Sequence, residues 1–259
     1  MSNSVIVEIK DHAAWVVIDR PDVRNALDTA TMRELTELIE ELGRDPSVRC
    51  IVLRGGGDRV FVSGGDIREF KQAFSDTETA IAYEATAEHL HEAISLAPKP
   101  VIAMMNGHAI GGGCLLANAC DFRFCSDAAR LGIPISKIGF CICPPDLQRL
   151  ARLVGVPQAK RLLMTGVVIS ASEALQIGLV ERVASPETLV KETESFVDSL
   201  VSNAPLSLKS IKEMSRLYLE PQLTFEDGTP WYREVYASSD LQEGIEALSA
   251  KRTPIFNGR

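Results

Sequence analysis

Two glycine-rich junctions, Gly64-Gly65 and Gly111-Gly112-Gly113, hold the residues of this chain best suited to chemistry. At the second, the apolar run 101–105 breaks at Asn106-Gly107, crosses three glycines and enters Cys114-Leu115-Leu116-Ala117-Asn118-Ala119. The run has the length of a buried strand. Asn-Gly marks a turn, and the segment after the glycines reads as a buried helix. The first N–H groups of a helix have no intrahelical partner and carry the positive end of its dipole. Glycine lets a ligand approach that backbone with no Cβ in the way. Such a junction favours negative charge, on a bound phosphate or on an atom that becomes charged during reaction. The first junction repeats the logic. Phe61-Val62-Ser63 runs into Gly64-Gly65, then into Asp66-Ile67-Arg68-Glu69-Phe70, with Asp66 placed to cap a helix. Two such N–H sources converging on one oxygen make an oxyanion hole.

Two phosphate-binding patterns fail on spacing. Cys114-Leu115 stands where the Walker loop needs Lys and then Ser or Thr, and three consecutive glycines do not give the dinucleotide fingerprint. A tight turn with close helix packing remains the structural alternative.

The elements that must position these junctions follow from periodicity. Stretches 5–9 and 14–18 read as a hairpin turning at Asp11-His12, with His12 a solvated turn residue. A polar loop, 19–28, leads to an amphipathic helix over 29–42 with Met32, Leu35, Leu38, Ile39 and Leu42 on one face and Gly43 as its stop. Cys50-Ile51-Val52-Leu53-Arg54 is a third strand. A helix over 77–96 separates the junctions and carries His89 and His91, both expected on a solvated face. Helices are also expected over 150–154, 158–164, 172–177, 186–201, 205–219, 223–236 and 241–251. Trp231, Tyr232 and Tyr236 read as core or interface residues, with a substrate pocket as the alternative.

Composition sets outer limits. The chain has 259 residues, 46% of them hydrophobic, and a net charge of −8. This suits one large domain or one domain with an appendage, and the acidic balance argues against nucleic acid as main partner. The N-terminus shows no signal peptide, and no apolar run reaches the length of a membrane span. Six cysteines lack Cys-x-x-Cys or zinc-type spacing and read as reduced core thiols of a cytoplasmic protein, with no metal site expected.

Taken together, the motifs resemble the crotonase superfamily, also called the enoyl-CoA hydratase/isomerase family. The likeness is carried, in family order, by Arg24-Asn25-Ala26-Leu27, Ser63-Gly64-Gly65-Asp66-Ile67-Arg68-Glu69, Lys99-Pro100-Val101-Ile102-Ala103, Asn106-Gly107, Gly111-Gly112-Gly113-Cys114 and Ala119-Cys120-Asp121. It continues through Leu150-Ala151-Arg152-Leu153-Val154-Gly155, Ala171-Ser172-Glu173-Ala174, Gly178-Leu179-Val180 and Lys251-Arg252-Thr253-Pro254 with Phe256. The resemblance implies an α/β fold: a spiral of ββα repeats with two near-perpendicular sheets over 1–198, then a C-terminal helical trimerisation region over 199–259. It implies an acyl-CoA substrate, no separate cofactor, and a homotrimer or dimer of trimers. The N–H groups of Gly65 and Gly112 would hold the thioester oxygen, within a binding segment that includes Gly64, Asp66 and Ile67. Arg24, Ala26, Arg68 and Lys251 match positions that contact the CoA nucleotide, where cations suit phosphates.

The chain also departs from the family. Hydratases of the family carry one Glu just after the Gly-Gly-Gly-Cys run, and here that position is Leu115. They carry a second after Gly-x-Pro, and here Gly132-Ile133-Pro134 is followed by Ile135. Apolar residues do no general acid–base work. Some relatives carry a working Asp farther on, at a position that resembles Cys143, with Asp146 three residues later. Cys143 is a candidate thiol acid or nucleophile, Asp146 a candidate base, and His108 a candidate acid–base group. Each has a plainer reading: a small packed residue for Cys143, a helix N-terminal residue for Asp146, a tolerant position for His108. The sequence therefore predicts a family enzyme, hydratase or isomerase, working through a stabilised enolate. The alternatives are decarboxylation of a malonyl-type thioester, which forms the enolate without a base, and a catalytically silent acyl-CoA binder.

Overall fold

In the computed structural model, residues 4–217, 234, 238–250 and 252–259 are described. The chain opens with the hairpin β1 (Val5–Lys10) and β2 (Ala13–Ile18), closed by Asp11 and His12 at positive φ. Helix α1 (Thr29–Arg44) follows. Asp28 caps it by accepting from Thr31 N at 2.8 Å. Its Met32, Leu35, Ile39 and Leu42 are buried, each side chain contributing roughly 1.5–3 kcal/mol. Gly43 does not stop this helix. It packs against Pro98, and the end comes at Arg44, where Lys99 Nζ takes the carbonyl of Leu42 at 2.7 Å and that of Asp45.

From here each turn of chain supplies one strand to each of two sheets and then a helix. Strands β3 (Cys50–Gly55), β5 (Val101–Met105) and β7 (Phe122–Ser126) join the hairpin in one sheet. Strands β4 (Val60–Val62), β6 (His108–Ile110) and β8 (Arg130–Gly132) line up in the other. The intervening helices are α2 (Ile67–Ala73), α3 (Thr77–Leu96) and α4 (Gly112–Ala119), with α5 (Pro144–Thr165) after β8. The first sheet runs β1-β2-β3-β5-β7-β10 and the second β4-β6-β8-β9, where β9 is Val168–Ser170 and β10 is Arg182–Ala184. The pairings are parallel except β1–β2 and β8–β9. All five residues of β5 are buried, as a strand covered on both faces requires.

Stretches 150–154 and 158–164 are both helical, as expected. They lie in the two arms of α5, which is broken at Gly155 (φ 73°, ψ 156°) just before Pro157, and the first arm starts earlier, at Pro144. Beyond it come α6 (Ala171–Gln176), α7 (Pro186–Val201), α8 (Pro205–Leu217) and the helix Ser239–Ala250. Helix α8 is tied to the core through Lys212, which pairs at 2.7 Å with the Asp121 carboxylate; that carboxylate also accepts from Val101 N at 2.8 Å. The expected helix over 223–236, its aromatic residues Trp231, Tyr232 and Tyr236, and Lys251 lie outside the described residues. Among the described residues no helix is long and apolar enough to cross a membrane.

Candidate active site

The two glycine junctions are brought together by sheet topology. Strands β4 and β6 are parallel neighbours, Val60 beside His108 and Val62 beside Ala109. Their C-terminal ends therefore open at the same edge, so that the chain leaves β4 into Gly64-Gly65 and β6 into Gly111-Gly112 side by side. At the first junction Gly64 has φ 113°, a conformation suited to glycine. Leu27 N donates to Gly64 O at 2.9 Å and Asp66 N donates to Leu27 O at 2.8 Å. The bridge thus uses the groups flanking the Gly65 N–H and leaves that N–H out.

At the second junction Gly111 N donates to Gly132 O at 2.8 Å, and Cys114 N and Leu115 N return to Gly111 O at 3.0 and 3.1 Å. Gly112 is the first residue of α4, so its N–H has no intrahelical partner. A β-carbon on Gly112 would stand 3.7 Å from Gly65 N and 3.6 Å from Gly64 Cα. The two unused N–H groups thus belong to neighbouring backbone at one cleft, which Gly64, Gly65, Gly111 and Gly112 all line.

The rest of the cleft is largely apolar. Leu115 and Ile135 both line it, with Phe70, Tyr83 and Phe140. Phe70 meets Tyr83 edge-on at 6.0 Å and Phe140 at 5.3 Å between ring centroids. Helix α3 turns Tyr83, Glu84, Ala87 and His91 to this cleft, and the start of α5 adds Asp146, preceded by Cys143 at the helix cap.

His91 is the main correction to the sequence reading. It is 3% exposed rather than solvated, and its Nδ1 lies 3.0 Å from Asp146 Oδ1 and 3.2 Å from Oδ2. His89 is exposed, as expected. Asp146 also accepts from Arg149 Nη1 at 2.9 Å, and the same guanidinium grips Glu88 through bonds of 2.8 and 2.7 Å. Burial opposes the Asp146 charge, but His91 and Arg149 outweigh it and hold the carboxyl below its ordinary pKa. Glu84 behaves oppositely. Burial, reinforced by the Asp146 charge, raises its pKa, with His91 opposing. The Cys143 thiol is also pushed up, by burial and then by the Glu88 and Asp146 carboxylates. Glu88, His91 and Asp146 bring ligand atoms within 4.8 Å of one another. The Arg149 guanidinium already bonds both carboxylates, so the cluster is organised as an ion-pair network.

His108 does not join the site. It is exposed on β6, and its Nδ1 accepts from Arg130 N at 3.0 Å on the neighbouring strand. Asp66 caps α2 through Arg68 N at 3.1 Å and pairs with the Arg68 side chain, Nε to Oδ1 at 2.9 Å and Nη2 to Oδ2 at 2.5 Å; Arg20 stands 3.3 Å away. Arg68 is thus tethered yet exposed, Arg24 is exposed at φ 57°, and Ala26 is buried beside them. Ile67 is 77% exposed at the cleft mouth. Cys50, Cys114, Cys120 and Cys125 are core thiols as expected, whereas Cys141 is exposed and Cys143 half-buried, both on the cleft. The sequence reading missed Tyr83, Glu84 and His91. Tyr83 and His91, with Ala87 midway, recur every four residues along α3, the one local sign that they share a face.

Comparison with known proteins agrees with this architecture. The sequence profile of the enoyl-CoA hydratase/isomerase family matches residues 8–259. A short-chain-enoyl-CoA hydratase of Clostridium acetobutylicum is 36% identical over 256 residues, 96% of each chain. A crotonyl-CoA hydratase of Syntrophomonas wolfei is 36% identical, covering 98% of this chain and 97% of the relative. The crystal structure of an enoyl-CoA hydratase/carnithine racemase from Magnetospirillum magneticum superposes with a TM-score of 0.95 at 30% identity, covering 100% of this chain and 97% of that one. The chain belongs to the enoyl-CoA hydratase/isomerase family, within the crotonase superfamily.

Proposed function

We propose that this protein converts an acyl-CoA thioester through an enolate whose oxygen is held by the N–H groups of Gly65 and Gly112. The observation that carries this reading is the apposition of those two unused N–H groups at one apolar cleft. Donors fixed in a dry site stabilise a developing oxyanion far better than water does. The acyl group would lie against Leu115, Ile135 and the aromatic rings. Arg24, Ala26, Arg68 and Lys251 would meet the CoA nucleotide, and the protein would assemble as a homotrimer or a pair of trimers. CoA enters as part of the substrate, so no separate cofactor is required.

The reaction class is hydration or isomerisation of an enoyl-CoA, with the proton handled by groups other than a pair of glutamates at positions 115 and 135. Loss of CO₂ from a malonyl-type thioester is the second reading. The apolar side chains of Leu115 and Ile135 on the cleft favour it, because decarboxylation yields the enolate without a base.

A turnover screen by mass spectrometry in ¹⁸O-labelled water separates these readings. The panel holds enoyl-, 3-enoyl-, dienoyl-, malonyl-type and aromatic acyl-CoAs. Labelled water gained by an enoyl-CoA, or migration of its double bond, supports the first reading. Loss of CO₂ supports the second. Silence across the panel with acyl-CoA still bound points to a binding protein and contradicts both.

A further inference from the structure

We propose that His91 is the group that moves the substrate proton in this chain, with Asp146 as its positioning residue; this rests on the acyl-CoA reading above. Asp146 sits in the first turn of α5, and His91 lies near the end of α3, 55 residues earlier. Neither position is where the sequence resemblance puts the family's glutamates.

The geometry carries the assignment. Asp146 is 4% exposed and held by two bonded neighbours, His91 and Arg149. An ionised carboxylate only accepts hydrogen bonds. The proton in the 3.0 Å contact therefore belongs to His91 Nδ1, which donates to Asp146 Oδ1. That fixes the ring orientation, and in the neutral imidazole it leaves the lone pair on Nε2. Among the described residues Nε2 has no hydrogen-bond partner, and it is not one of the buried polar atoms sealed off without one. His91 lines the same cleft as Gly65 and Gly112. A buried imidazole bound on one nitrogen to a carboxylate and bare on the other is the arrangement of an oriented general base.

The surrounding charges support that role. Glu84 and Glu88 face His91 from its own helix, while Asp146, Arg149 and Cys143 face it from α5 and its cap. Arg149 neutralises Glu88 and clamps Asp146 at once. The clamp keeps the carboxylate in place and anionic, so Asp146 orients the ring and is a poor base itself. Burial raises the pKa of Glu84, which makes it the rival proton carrier on this cleft, so the test below includes it.

The step balances simply. Nε2 takes the proton from the carbon next to the thioester carbonyl. The electron pair of that C–H bond moves into the enolate, whose oxygen rests on the N–H groups of Gly65 and Gly112. Returning the proton to the same carbon gives exchange, and returning it two carbons along gives isomerisation of an enoyl chain.

The test uses [1-¹³C]butyryl-CoA in D₂O with the full-length protein. Mass spectrometry reads deuterium gained at the α-carbon, and the ¹³C carbonyl shift reads binding at the glycine pair. The wild-type protein is expected to move the carbonyl resonance downfield and to exchange the α-proton. His91→Gln is expected to keep the carbonyl shift and lose exchange by about 100-fold or more, within the range of general acid–base contributions. Asp146→Asn is the second variant, expected to slow exchange about 10-fold or more and to move the acid limb of the pH–rate profile, which a merely structural role would leave in place. A His91→Gln protein that exchanges at the wild-type rate overturns the inference while leaving the glycine pair intact. Exchange lost in Glu84→Gln but kept in His91→Gln overturns it in favour of Glu84. A wild-type carbonyl shift without any exchange overturns it as well, and so does an unchanged pH profile in Asp146→Asn. Absence of the carbonyl shift in the wild-type protein removes the acyl-CoA reading and this inference with it.

Discussion

Tyr83 Oη stands beside Gly65, in the space that a β-carbon on that glycine would take. The Phe70 ring closes the same space at 2.8 and 3.1 Å. Gly65→Ala therefore drives a methyl group into a hydroxyl and an aromatic edge. The expected cost is about 1–3 kcal/mol of stability, together with loss of acyl-CoA turnover. Adding Tyr83→Phe removes the nearest atom and should return about 0.5 kcal/mol or more, a non-additivity that urea denaturation of the single and double variants measures.

Asn25 anchors the loop that presents Arg24 and Ala26. It is 1% exposed at φ 55°. Its Oδ1 accepts from Arg20 N at 3.0 Å, and its Nδ2 donates to Gly56 O at 3.0 Å and Val60 O at 2.8 Å. Asn25→Ala leaves those partners unpaired and keeps a left-handed conformation that Asn tolerates better than Ala. A loss of about 2–4 kcal/mol is expected, read from the denaturation midpoint at unchanged m-value.

The acid limb of stability should carry a signature of Asp66. Hydrogen bonds from Arg68 outweigh burial and, with Arg20, hold its carboxyl down to about 2. A depressed folded pKa means that the contribution is complete above the ordinary carboxylate value of about 3.9 and is lost as pH falls toward 2. Arg68 is exposed, so solvent screens the pair and keeps the contribution small. Asp66→Asn keeps a capping side chain for α2 and should flatten the stability profile between those two pH values.

Thiol labelling gives a footprint of the cleft. Burial pushes the thiols of Cys50, Cys114, Cys120 and Cys125 up to about 12, whereas Cys141 is exposed on the cleft wall. Iodoacetamide at mildly alkaline pH is expected to modify Cys141 before any core cysteine. Saturating acyl-CoA should slow that reaction several-fold, and unchanged labelling would place the ligand elsewhere.

How much of this could be read in advance depends on whether the signal is local. Gly64-Gly65 and Gly111-Gly112-Gly113 announce themselves, because close backbone approach and the positive φ of Gly64 and Gly111 favour glycine. The helix Thr77–Leu96 also shows in its sequence. What does not show is pairing across the chain. His91 sits among polar residues and is read as solvated, yet it is buried, and its partner Asp146 comes from another helix, itself held by Arg149. His108 directly follows a glycine turn and invites a catalytic reading, but the register of β6 beside β8 sets it against Arg130. The break in α5 is legible by contrast, since Gly155 and Pro157 mark the point where its two arms part.

The central claim, that Gly65 and Gly112 jointly hold a thioester oxygen, is tested most directly by the carbonyl resonance of bound [1-¹³C]crotonyl-CoA. Gly112 opens α4, where proline is tolerated and its missing N–H costs the helix nothing. Gly112→Pro thus removes that donor, and its β-carbon meets Gly64 and Gly65 at ordinary contact distance, 3.6 and 3.7 Å. A downfield carbonyl shift is expected on the wild-type protein, collapsing in Gly112→Pro while the CoA moiety still binds. An equal shift in both proteins, or none in the wild type, would contradict the claim.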